Sequence, residues 1–119
     1  MTKNYPEITK RISANTRVLR KDIPETMQGF SALAINASKD GALSKKTKEM
    51  IALAIGISTR CDGCIGFHAE ALVKLGCSKQ EFEEVLGMAV YMGGGPALMY
   101  AADALGAFEQ FSQLQSAPA

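Results

Sequence analysis

Several things are scarce in this 119-residue chain: it has no tryptophan, one histidine, three cysteines and no apolar run as long as a membrane span. The short apolar runs exclude a bilayer anchor. The odd cysteine count argues against a disulfide framework. There is no surplus of one charge either, since 13 basic and 12 acidic residues leave a net charge of +1. That balance, with lysines scattered among acids, argues against a nucleic-acid partner. Only Lys45, Lys46 and Lys48 cluster, and they read as a solvated helix start. The opening MTKNYPEITKRIS has neither the apolar stretch nor the small-residue cleavage site of a secretory signal, which points to the cytoplasm. In that reducing compartment a C-x-x-C pair implies redox chemistry or metal binding.

Alternation of apolar and polar residues is also missing, so the expected fold is all-α, and the thioredoxin fold is excluded. The length suits one domain over 1–119. Helix signals divide it into about six helices. NYPE at Asn4 and DIPE at Asp22 each offer a capping residue, a first-turn proline and a glutamate. The first helix should run to about Leu19. The second, with Met27, Phe30, Leu33 and Ala34 or Ala37 on one face, should end at Lys39 to Gly41. Ser44 starts a third that is apolar almost all round from Met50 to Ile57. The fourth contains CDGCIGFHAEALVKLG and stops at Gly76. Ser78 and Glu81 form a capping box for the fifth, Gly93 to Gly95 break it, and Pro96 opens the sixth. The tail SQLQSAPA reads as frayed. The third, fifth and sixth helices are each apolar on more than one face, more than a small domain covers alone, so part of that surface should meet another subunit.

The chemistry concentrates at Cys61, Cys64 and His68. Attachment of a c-type haem needs histidine directly after the second cysteine, and Ile65 stands there. Zinc could draw on Cys61, Cys64, His68 and Cys77. In a continuous helix, however, His68 and Cys77 lie nine positions apart, roughly 13 Å, too far for one ion. A three-ligand site completed by Glu49 stays open. For a redox site the same helix is favourable, because Cys64 and His68 share a face, close enough for a direct or water-bridged hydrogen bond. Cys61 lies near the helix start with Arg60 beside it, and both features favour a thiolate. Gly63 and Gly66 keep the surrounding wall small for an approaching oxidant. Cys77 reads as a buried or idle thiol. Glu49 sits where its helix turns apolar; it either faces solvent among the lysines or, if the third and fourth helices cross, meets the sulfur face and exchanges protons with His68.

The spacing Glu49, Cys61, Cys64, His68 resembles the signature of the AhpD-like alkylhydroperoxidases of the carboxymuconolactone decarboxylase superfamily, and the likeness extends from about Leu43 to Ala101. It implies an all-helical trimer or hexamer with thiol peroxidase or disulfide reductase activity, without metal or organic cofactor. It further implies that Cys64 is the peroxidatic thiol, Cys61 the resolving one, His68 the proton-transfer residue and Glu49 the group that draws its proton away. The implied partners are a peroxide and an external dithiol or small thiol. The best-known members carry a second histidine between the cysteines, where this chain has Asp62 and Gly63. Two other readings remain: the superfamily's lactone decarboxylation, which does not depend on a cysteine pair, and a non-catalytic metal-binding or redox-sensing oligomer.

Overall fold

A computed structural model describes residues 3–116, and every regular element among them is an α-helix. The helices are α1 (Tyr5–Asp22), α2 (Pro24–Ser38), α3 (Lys45–Ser58), α4 (Asp62–Lys74), α5 (Lys79–Gly93) and α6 (Gly95–Ser116). This matches the all-α expectation.

Local chemistry accounts for most of the boundaries. Asn4 Oδ1 accepts the Glu7 amide at 3.1 Å and opens α1. Ser44 and Ser78 cap α3 and α5 in the same way, and Glu81 completes the capping box by accepting the Ser78 amide at 2.9 Å. Such a cap satisfies amides that the first helical turn leaves unpaired. Gly76, at φ 78°, lies just beyond α4, and Gly94, at φ 70°, separates α5 from α6. Two boundaries differ from expectation. Asp22 is the last residue of α1 rather than a cap, and Ile23 takes the capping position of α2 without a side-chain bond. The Ser112 to Ser116 part of the tail is helical, because α6 continues through it; Ala117 to Ala119 lie outside the described residues.

The core forms around α4, which packs on α3, α6 and α1. Ile65, Ala69, Leu72 and Val73 of α4 are buried. From α6, Ala97, Ala101, Ala104 and Ala107 present a small-residue face that lets neighbouring helices approach closely. Phe82 and Phe108 pack with their rings tilted by 42° and 4.7 Å between centroids, tying α5 to α6.

A different outcome holds for α2. None of its residues is buried, and Phe30 and Leu33 of its apolar face are 63% and 66% exposed. Apolar side chains are also left uncovered on α3 (Ile51, Ile55), α5 (Met88, Tyr91, Met92) and α6 (Leu98, Met99). No helix among the described residues is long and apolar enough to cross a membrane.

Candidate active site

Glu49 and Gly56 lie seven residues apart on α3, hence on one face, while Cys64 and His68 lie one turn apart on α4. The two faces meet with the helices running in opposite directions. At one end His68 Nδ1 and Glu49 Oε2 approach to 2.6 Å. At the other, a Cβ added to Gly56 would fall 3.0 Å from Cys64 Cβ, so the bare glycine lets α4 lie close against α3. Of the two environments expected for Glu49, the structure shows the site. The carboxylate is buried, its side chain 10% exposed, and the imidazole 31%. A carboxylate only accepts, so the bond fixes the Nδ1–H tautomer and leaves Nε2 of the neutral ring as a base.

Cys61 takes the capping position of α4, with extended backbone, and its sulfur accepts the Cys64 amide at 3.2 Å. Cys64 lies one turn further in. Burial first, then the neighbouring Cys61 sulfur by hydrogen bond and charge, together push its thiol from an ordinary 9.0 up to about 11, against a smaller lowering by a backbone hydrogen bond. Cys64 forms no hydrogen bond with His68, whose partner is Glu49. A proton leaving Cys64 for Nε2 therefore needs a bridging water or substrate.

The first helix forms a wall that the sequence did not reveal. A Cβ at Gly63 would meet Ile12 Cδ1 at 2.8 Å, and one at Gly66 would meet Thr9 Cγ2 at 2.7 Å and Tyr5 Cδ1 at 3.4 Å. These glycines therefore receive α1 rather than open a path for an oxidant. Asp62, between the cysteines, accepts from the Tyr5 hydroxyl and pairs with Lys3 Nζ, each at 3.0 Å; Lys3 also reaches Asp103 at 2.9 Å. Burial, then the bond to Asp62, raises the Tyr5 phenol. Gln110 holds the same segment by accepting the Tyr5 amide and donating to the Lys3 carbonyl. The NYPE cap announced a helix here, but no residue pattern announced its docking on the cysteine turn.

Two further expectations are changed or sharpened. The lysine cluster is half-buried rather than freely solvated: Lys46 pairs with Glu81 at 2.9 Å and Lys48 donates to the Lys39 carbonyl at 2.7 Å. Cys77 is buried, and burial raises its thiol. Among the described residues, no three His, Cys, Asp or Glu side chains are grouped to hold a metal ion.

The site lies within a region that other proteins share. Residues 24–107 match the model of the carboxymuconolactone decarboxylase family. An uncharacterised protein of Cupriavidus necator is 36% identical over 86 residues, 72% of this chain and 76% of its own length. A carboxymuconolactone decarboxylase family protein from Legionella pneumophila, solved without ligand, is 59% identical with a TM-score of 0.90, covering 91% of this chain and 96% of that one. Another from Thermotoga maritima, described with a candidate role in antioxidative response, is 30% identical with a TM-score of 0.70, covering 76% and 93%. Sequence and fold thus agree, and the chain belongs to the carboxymuconolactone decarboxylase family.

Proposed function

We propose that the protein is a thiol peroxidase that reduces hydroperoxides through Cys61 and Cys64, with His68 and Glu49 moving the proton. The observation that carries this reading is the short Glu49–His68 bond beside a cysteine pair whose inner thiol resists ionisation. A thiol held near 11 is only about one part in ten thousand thiolate at pH 7, so it needs a base, and His68 Nε2 is the base at hand.

In this reading the Cys64 proton passes to His68, and the thiolate attacks one peroxide oxygen. The O–O bond breaks, the departing alkoxide takes the proton and leaves as alcohol, and Cys64 becomes a sulfenic acid. Cys61 then gives up its proton and attacks the Cys64 sulfur, hydroxide leaves with that proton as water, and a disulfide forms. An external dithiol or small thiol supplies two electrons by exchange and restores both thiols. The residues in hand require no metal or organic cofactor, and the cycle suits the reducing cytoplasm.

Intact mass after one equivalent of hydroperoxide tests the reading. It expects a loss of two hydrogens in the wild type, absent in Cys61→Ser and Cys64→Ser, and no dithiol turnover by Cys64→Ser. Unchanged turnover by Cys64→Ser would sink it. We further propose a homotrimer or homohexamer, supported by the uncovered apolar faces of α2, α3, α5 and α6. A monomeric mass by light scattering would rule that out.

A further inference from the structure

Helices α3 and α4 end in the same hydrogen-bonded turn. After α4, the Gly76 amide donates to the Val73 carbonyl at 3.1 Å and the Cys77 amide to Leu72 at 3.0 Å. After α3, the Arg60 amide donates to Ile57 at 3.1 Å and the Cys61 amide to Gly56 at 3.0 Å. This paired pattern needs a left-handed residue at its turning point, where glycine is the usual choice. The chain uses glycine after α4 at φ 78° but arginine after α3 at φ 57°, the one positive-φ residue other than glycine among those described. A Cβ in that region is strained, so Arg60 lowers the stability that glycine would provide. Strain held beside a reactive residue points to a use for the side chain.

The guanidinium is free for such a use. Arg60 is exposed and forms no ion pair among the described residues. Its closest acid in sequence, Asp62, is already engaged by Lys3 and Tyr5. Arg60 borders a small cleft of about 170 Å³ whose walls include Ile57, Ser58, Met92, Pro96 and Ala97. The cleft is mostly apolar with one cation and one hydroxyl, and it is below the size of a typical drug-sized pocket. Those features suit a short aliphatic body that ends in a carboxylate, which a guanidinium fork binds through two hydrogen bonds. The next residue along the chain is Cys61.

We infer that Arg60 and this cleft form a carboxylate subsite beside the thiol pair, so that the small thiol reducing the disulfide is an acidic one. The inference rests on the redox reading for its meaning. In the step concerned, the first thiolate forms a mixed disulfide and releases one protein thiolate. A second thiol then displaces it as the symmetrical disulfide, leaving both protein sulfurs reduced by two electrons in total. The subsite acts on the first attack by holding the carboxylate.

The test uses the full chain with Arg60→Gly, Arg60→Gln and Arg60→Lys. Alkylation of reduced Cys61, located by peptide mass, is timed with anionic iodoacetate and neutral iodoacetamide. This needs only a thiol and stands apart from any peroxidase activity. The rate ratio of iodoacetate to iodoacetamide should fall roughly three- to tenfold in the Gly and Gln variants, persist in Lys, and shrink in the wild type at high salt. The oxidised protein should show the same loss for reduction by 3-mercaptopropionate relative to 2-mercaptoethanol. Arg60→Gly should also melt a few degrees higher, which shows that the loss is not misfolding. An unchanged ratio in Arg60→Gly and Arg60→Gln, or an equal fall in Arg60→Lys, would overturn the subsite. An intact ratio effect in a protein that never oxidises with peroxide would overturn the peroxidase reading instead.

Discussion

At the scale of single residues, the two cysteines differ because one ends a helix start and the other is buried behind it. The Cys64 thiol, raised to about 11 by burial and then by Cys61, should alkylate faster as pH climbs through 9 to 11, not around the ordinary value. Replacing Cys61 with serine removes two of the upward contributions, so that profile should move to lower pH; iodoacetamide labelling of Cys64 against pH measures it. The same shift has a sign for stability. A thiol harder to ionise in the folded chain contributes fully below 9.0 and loses that contribution as pH rises to about 11, which should appear as a falling melting temperature in that window. Glu49→Gln should lower peroxide-dependent dithiol oxidation at least tenfold while leaving the helices formed, because the amide no longer stabilises a protonated His68. Circular dichroism separates the two effects. These residues were legible in the sequence because the spacing of Glu49, Cys61, Cys64 and His68 fixes helix faces. The direction of the Glu49 side chain was not, since it depends on how α3 crosses α4.

At the scale of helices, caps were the most readable feature and docking the least. Ser78 and Glu81 close a reciprocal box that is visible as four letters, and Ser78→Ala should cost about 1 kcal/mol in chemical denaturation. Gly66→Ala places a methyl 2.7 Å from Thr9 Cγ2. Thr9 is buried and stiff at χ1, so the variant should lose about 1–3 kcal/mol and loosen α1. Hydrogen exchange at the α1 amides would register that loosening. Apolar spacing correctly announced α2 as a helix but did not say that its Phe30 and Leu33 are left uncovered. Periodicity shows that a face exists, not what covers it. The frayed tail failed for a related reason: from Ser112 to Ser116 α6 continues without any glycine or proline to stop it, just as α1 runs three residues past Leu19 to Asp22.

For the whole molecule, the uncovered side chains form a second account of stability. Phe30→Glu with Leu33→Glu removes nothing buried within one chain, so the isolated fold should tolerate it. If those residues join copies, the double variant should fall to a smaller species in sedimentation while keeping its helical content. The opposite pattern, loss of helix with unchanged mass, would place the role of α2 inside the protomer. Tyr91 on α5, 78% exposed, offers the same comparison on another face.

The contact of Ile12 with Gly63 constrains how this protein can be redesigned. A second histidine between the cysteines, as in the enzymes the motif resembles, requires Ile12 to move, because the first carbon of the new side chain would fall 2.8 Å from Ile12 Cδ1. Gly63→His alone should cost stability, and pairing it with Ile12→Ala should recover most of the loss in thermal melting. The first helix lies outside the region matched by the family, residues 24–107, yet its Ile12 lies against position 63. Any transplant of this active site onto a relative must carry α1 with it, or adopt the relative's own pairing of first helix and cysteine turn.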